Sequence, residues 1–170
     1  MLDFQRPSFE GGVEKFDCMC REAMTDDEFE RLMSVSIENP PSSQIFSRIQ
    51  KQYLLWDTNL RNAVANAAMP DGGALKYLHK EEDYFSETES IVQTAAAKDD
   101  PLERDRVIDG CRFDYINGLA ASAGFSFEFL AAYRMQLIII EKYAALSVEQ
   151  GEANFELLVK EILDANKNNL

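Results

Sequence analysis

The residues predict an all-α protein, an irregular bundle of about seven helices. Three observations lead there. Apolar side chains recur at steps of three and four along most of the chain. Capping-box and Asp-Pro helix-start signals precede several of these runs. Most proline and glycine residues fall between the runs, where they punctuate the chain.

The first twelve residues, with Pro7, Gly11 and Gly12, read as irregular. A short helix over Val13–Ala23 follows, with Val13, Phe16, Met19 or Cys20, and Ala23 facing inward. Thr25-Asp26-Asp27-Glu28 forms a capping box, in which the threonine hydroxyl and the Glu28 carboxylate satisfy each other's backbone amides. Asp26 and Asp27 add negative charge at the positive end of the helix dipole. The helix they open turns Phe29, Leu32 and Met33 inward and stops before Asn39-Pro40-Pro41.

Ser43 reads as the cap of the most regular element. Ile45, Ile49, Tyr53, Trp56, Leu60, Ala63 and Ala67 follow at steps of 4, 4, 3, 4, 3 and 4, a helical stripe that no strand can use. Leu54 and Leu55 widen it, and Arg48, Gln52, Asp57, Asn59, Arg61, Asn62 and Asn66 form the polar side. The helix ends before Pro70-Asp71-Gly72-Gly73.

A weaker turn around Ala74–His79 leads into the acidic stretch Glu81, Glu82, Asp83, Glu87 and Glu89. That stretch reads as a solvated linker plus the first turn of a helix capped near Ser86 or Glu87 and running to about Ala97. Asp100-Pro101 starts the next helix, the aspartate as cap and the proline where no amide donor is needed. Its face is Leu102, Ile108, Cys111, Tyr115 or Ile116, and Leu119, with Gly124 just past its end. Gly110 and Gly118 either weaken it by roughly 1 kcal/mol each or admit a close neighbour. Ser126 begins a helix with Phe127, Leu130, Tyr133, Leu137, Ile140 and Ala144 inward. A second capping box, Ser147-Val148-Glu149-Gln150, opens a final helix that buries Phe155, Leu158, Val159, Ile162 and Leu163 and frays from Asn166. No internal repeat occurs. The chain reads as one helical domain over 1–170, with two lobes, 1–70 and 100–170, joined by an acidic region 71–99 as the alternative.

With 30 acidic against 17 basic side chains the net charge is −13, and Lys and Arg are scattered singly. Such a field repels nucleic acid and anionic membrane surfaces. No run approaches the ~20 apolar residues of a bilayer span; Leu137-Ile138-Ile139-Ile140 lies between Arg134 and Glu141-Lys142 and reads as buried helix. The N-terminal residues lack the apolar region of a targeting peptide. Three cysteines, Cys18, Cys20 and Cys111, are an odd count that fits a reducing compartment. A cytoplasmic location is expected.

Little here makes bonds. His79 is the one histidine, flanked by Tyr77, Leu78 and Lys80, so neither a paired Glu-x-x-His di-iron site nor a Cys/His zinc site can be assembled. Cys18-Met19-Cys20 has the wrong spacing for a zinc knuckle. Gly11-Gly12 and Gly72-Gly73 lack the Lys-Ser or Lys-Thr of a phosphate-binding loop. Glu81-Glu82-Asp83 lacks the spacing of a calcium loop. No metal, no cofactor and no enzymatic activity are expected, an acid/base pair of carboxylates in a helical pocket being the remaining catalytic reading.

Two segments mix large aromatics with charge: Tyr53 to Asn62, and Arg112-Phe113-Asp114-Tyr115-Ile116. Arg61 or Arg112 can pair with Asp114 or Asp57 across packed helices. Tyr53, Trp56, Asp57, Arg61, Arg112, Asp114 and Tyr115 are therefore candidates either for a structural polar network or for a partner-binding patch, since Trp, Tyr and Arg are typical interface anchors.

The same segments supply a resemblance. Met1-Leu2-Asp3-Phe4, Cys20-Arg21-Glu22, Trp56-x3-Leu60-Arg61-Asn62, Arg112-Phe113-Asp114-Tyr115-Ile116 and Leu130-Ala131-Ala132-Tyr133-x3-Leu137 resemble, in order, landmarks of a bacterial family whose genes accompany those of V-type ATPases. Phe113 stands where that family has tryptophan. The last landmark, preceded by Phe125-Ser126-Phe127-Glu128-Phe129, is also similar to the helices of the funnel-shaped C-type component of V/A-type ATPases, called d in eukaryotes, although this chain is much shorter. That component seats the rotor stalk on the membrane ring of an ATP-driven proton or ion pump. The resemblance implies an accessory or C-like subunit that docks on stalk or ring proteins. The alternative is a free-standing regulatory or scaffold protein, with the Ile45–Ala67 stripe as the seam of a homodimer.

Overall fold

The computed structural model describes Phe4 and residues 11–38, 45–69 and 85–144. Among them it contains six helices and no strand: α1 (Gly12–Ala23), α2 (Asp26–Met33), α3 (Arg48–Ala68), α4 (Glu87–Ala96), α5 (Pro101–Ala120) and α6 (Phe127–Ala144). The protein is all-helical and bundle-like. The Ala74–His79 turn, His79, the acidic residues 81–83 and the final helix expected after Ser147 lie outside the described residues.

Local chemistry explains several boundaries. At α2 both halves of the capping box are made: Glu28 N donates to Thr25 Oγ1, and Thr25 N donates to Glu28 Oε2 at 3.1 Å. At α5 the Asp100 carboxylate accepts from Leu102 N at 2.9 Å, with Pro101 in the first turn.

Elsewhere the structure corrects the sequence reading. α3 begins at Arg48, with Ser47 as its cap; Ile45 precedes the helix, and Ser43 lies outside the described residues. Gly124 is left-handed, at φ 59°, but sits in the connection to α6, because α5 has already ended at Ala120. Met19 and Ala23 are exposed, while Phe16 and Cys20 carry the inner face of α1. On α5 the buried face is Asp109, Phe113, Ile116 and Ala120; Leu102, Ile108, Cys111 and Leu119 are only half-buried.

α6 is the element the others gather around. It packs against α1, α2, α3 and α5, and α4 fills in against α3 and α5. Its sequence permits this, because Ala131, Ala132, Met135, Leu137, Ile139 and Ile140 are buried around much of its circumference. They join Phe16, Leu32, Ile49, Tyr53, Phe113 and Ile116 in the main core. A second cluster of Trp56, Leu60 and Val92 seals α3 to α4.

Polar staples fix how the helices meet. Arg134 of α6 holds the Asp17 carboxylate of α1 with two bonds, Nε–Oδ1 at 2.9 Å and Nη2–Oδ2 at 3.0 Å, and gives Nη1 to the Val35 carbonyl at 2.6 Å. Two glutamates of α6 reach the starts of other helices. Glu128 accepts from Ser47 Oγ at 2.7 Å, Arg48 N at 3.0 Å and Ile49 N at 2.9 Å, placing a negative charge on the α3 amides. Glu141 accepts from Val13 N at 2.6 Å at the start of α1. Gly12 suits this position because its φ of 61° would strain a residue with a side chain, and the Glu141 carboxylate would also have to give way to one.

Candidate functional site

α3 carries Tyr53, Trp56, Asp57, Leu60 and Arg61 at helical spacing, and all but Arg61 are buried. Helical spacing puts Asp57 on the polar, solvated side of this helix; the structure buries it, with its side chain 2% exposed. Burial is tolerable because both oxygens are engaged by cations: Arg61 Nε donates to Oδ2 at 2.6 Å, and Arg112 Nε of α5 donates to Oδ1 at 2.7 Å. Arg112 turns its Nη1 to Asp109 Oδ1 at 2.7 Å. The other Asp109 oxygen accepts from Lys142 Nζ and Tyr143 OH of α6, each at 2.7 Å. The result is a row of alternating charge, Arg61–Asp57–Arg112–Asp109–Lys142, tying α3, α5 and α6 together.

The ionisation of the row follows from its neighbours. Burial pushes the Asp109 carboxyl up, but the hydrogen bonds from Lys142, Tyr143 and Arg112 and the Arg112 charge outweigh it and hold the group below the usual aspartate value. Burial likewise works against the Arg112 cation, and Asp57 and Asp109 more than restore it, so its pKa is raised. Tyr53 is pushed up by burial and then by the Asp57 charge, and Tyr143 by burial and then by its bond to Asp109. Both phenols stay neutral at physiological pH.

Trp56 and Tyr115 form a separate pair. Their rings stack with centroids 4.3 Å apart and 8° between planes. The indole Nε1 donates to Glu87 Oε1 of α4 at 3.3 Å, so this stack pins α3, α4 and α5.

The seven residues singled out from the sequence thus divide. Asp57, Arg61 and Arg112 meet in the charge row, with the buried Tyr53 beside it; Trp56 and Tyr115 meet in the stack. Asp114 joins neither and is exposed on α5. Sequence reasoning misses Asp109, Lys142 and Tyr143. Asp109 has a local signal, since it lies three residues before Arg112 on one helix face. Lys142 and Tyr143 are 33 and 34 residues from Asp109, a separation that no local pattern reveals.

Chemically this arrangement is saturated. Each oxygen of Asp57 and Asp109 already accepts from a cation or hydroxyl, so neither is poised to take a proton from a bound molecule. Among the described residues no group of three or more His, Cys, Asp or Glu is placed to hold a metal, and no helix is long and apolar enough to cross a membrane. Cys18, Cys20 and Cys111 are free thiols. Burial raises the pKa of Cys20 and of Cys111, the reverse of what a reactive thiolate needs.

No curated protein and no solved structure matches the chain. One family profile does, over residues 79–166, a span that takes in α4, α5 and α6 and therefore Glu87, Asp109, Arg112, Tyr115, Glu128, Lys142 and Tyr143. That span is more than half of the 170 residues, and the chain belongs to the family described as "Protein of unknown function (DUF2764)".

Proposed function

We propose that this protein is a non-catalytic helical docking component that associates with a V-type ATPase, at its central stalk or membrane ring. One observation carries the docking half of this reading. Phe125 is 92% exposed, yet it begins a row of rings rooted in the core. Phe125 and Phe129 have centroids 6.3 Å apart, Phe129 and Tyr133 6.3 Å, and Tyr133 and Phe16 of α1 5.2 Å. Nearby, the Arg31 guanidinium lies over Phe127 at 5.1 Å and over the half-exposed Phe46 at 5.7 Å. Exposed aromatic and arginine side chains are the usual anchors of protein interfaces.

The ATPase half rests on the resemblance. The Phe-rich stretch 125–129 immediately precedes the Leu130–Leu137 landmark that resembles the C-type component, so the exposed ring adjoins that landmark. The saturated charge row supports a structural role for the residues that would otherwise suggest chemistry. The self-association alternative is less favoured, because Ile49, Tyr53, Trp56 and Leu60 of the Ile45–Ala67 stripe are covered by the chain's own helices, although Ala67 at its end is exposed.

Affinity purification from cells that make a V-type ATPase tests the proposal. The tagged protein should recover stalk or ring subunits. The double variant Phe46→Ser, Phe125→Ser should recover far less, at a loss of about 2 kcal/mol per anchor, while melting at the same temperature. Recovery of no such subunit while the ATPase remains assembled would reject the association. Equal recovery by the variant would reject the aromatic end as the contact.

A further inference from the structure

A second surface differs in chemistry from the aromatic end. A groove of 530 Å³ runs between α1, α2 and α6. One wall is a helical stripe of α1, Glu14, Asp17, Cys18 and Arg21, at steps of three, one and three. Phe29 of α2 and Glu141 of α6 face it, and Val13 closes the end near Glu141.

Charge is distributed unevenly along the groove. At one end the Arg21 guanidinium already lies over the Phe29 ring, 5.1 Å from its centroid. Seven residues away, about 10 Å along the helix axis, Glu14 stands with Glu141. Asp17 is neutralised by Arg134. Glu14 and Glu141 are exposed, and among the described residues neither forms an ion pair. Glu141 uses one oxygen on Val13 N, which leaves its other oxygen to meet a further donor. At this end the groove therefore offers the apolar surface of Val13 beside the Glu14 carboxylate and the second oxygen of Glu141, in a protein of net charge −13.

We propose that this groove is a docking site for a basic segment of a partner protein. It takes a lysine or arginine side chain, whose aliphatic stem lies on Val13 and whose charged end meets Glu14 and Glu141. Long basic side chains are suited to such a site because they bury their methylenes while keeping the charge at a polar edge. A second copy of this chain is a poor occupant, since it brings the same −13 charge. The proposal is independent of which assembly the aromatic end engages.

The test must separate the groove from the overall negative field, which draws in any basic peptide. A fluorescent amphipathic leucine–lysine peptide and its leucine–glutamate counterpart are titrated against the full chain by anisotropy at about 0.15 M salt. Glu14→Lys is compared with Asp114→Lys, an equal charge change at an exposed site on α5. Only the lysine peptide should bind. Glu14→Lys should weaken it about tenfold or more and Asp114→Lys less than about twofold, because charges beyond a Debye length are screened. Alkylation of Cys18, which is exposed and lines the groove, should block binding as well. Equal weakening by the two variants, binding that survives the Cys18 adduct, or no binding of the lysine peptide at millimolar concentration would each overturn the proposal. Circular dichroism of each variant shows that the fold is retained.

Discussion

Asp109 and Glu128 both tie α6 to another helix, one near each end of it, and they do so by different physics. Asp109 of α5 is almost wholly buried and is satisfied by side chains, Arg112, Lys142 and Tyr143. Glu128 of α6 is half-buried and is satisfied mainly by backbone, the Arg48 and Ile49 amides at the start of α3, with the Ser47 hydroxyl as third donor. In the first case, losing a partner strands another charge in the interior. In the second, amides that lose the carboxylate can turn to water or to Ser47, which already accepts from Gln50 N at 3.1 Å. Equal numbers of hydrogen bonds at the two ends therefore predict unequal consequences.

The largest effect should come from Arg112→Met. It leaves Asp57 with only the half-exposed Arg61 and removes the cation shared between the two buried aspartates. Breaking a buried pair in this way destabilises by about 3 kcal/mol or more, read as a drop in the urea midpoint. Glu128→Ala should lose about 1 to 2 kcal/mol, the range for a helix cap. If Glu128→Ala proves as damaging as Arg112→Met, the contrast between buried partners and backbone caps is wrong.

Acid should act on both ends in the same direction. Burial raises the Glu128 carboxyl, but its bonds from Ile49, Arg48 and Ser47 outweigh that and set its pKa below the usual glutamate value; Asp109 is likewise lowered. A carboxyl with a lower pKa in the folded state binds fewer protons there than when unfolded. Its stabilisation is complete above the unfolded pKa and is lost as pH falls through the folded one. Urea stability should thus decline from about pH 5 to about pH 3. Glu128→Gln should show a shallower decline over that interval. An unchanged slope would mean that Glu128 gains nothing from ionisation.

The same contrast explains how much can be read from the residues. The capping box at Thr25 and Glu28, the Asp100-Pro101 start, and the buried run Ile49, Tyr53, Trp56 and Leu60 are legible because their partners lie within one or two helical turns. Periodicity places Asp57 on the solvated side because it counts an aspartate as polar; its pairing with Arg112, 55 residues away, can be named from the residues only as one of several Arg–Asp combinations, among which the packing selects. The start of α3 is set partly at long range: Glu128, which joins the local Ser47 cap in defining it, is 79 residues from Ile49. Gly11-Gly12 reads locally as punctuation before a helix and as an incomplete phosphate loop. What the residues do not reveal is that the Glu141 carboxylate comes down there on the start of α1. Local chemistry sets the helices, and long-range charge sets their faces and ends.

Within the Asp109 cluster a finer ordering follows. Tyr143→Phe keeps the ring packed edge-on against Phe4, with centroids 5.5 Å apart, and deletes only the hydroxyl bond to Asp109, so the loss should be about 1 kcal/mol.

Lys142→Met should have the smallest effect, under about 1 kcal/mol. Its side chain is 47% exposed, against 20% for Arg112, although both cations reach Asp109 at 2.7 Å. Water can replace a half-exposed ammonium at a carboxylate; it cannot as readily replace a guanidinium wedged between two buried aspartates. Salt discriminates the two. In about 1 M sodium chloride, where the Debye length is about 3 Å, the stability gap between wild type and Lys142→Met should close while that of Arg112→Met persists. If both gaps closed, the interior row would be as open to solvent as the surface, and its distances alone would not account for the way it holds α3, α5 and α6 together.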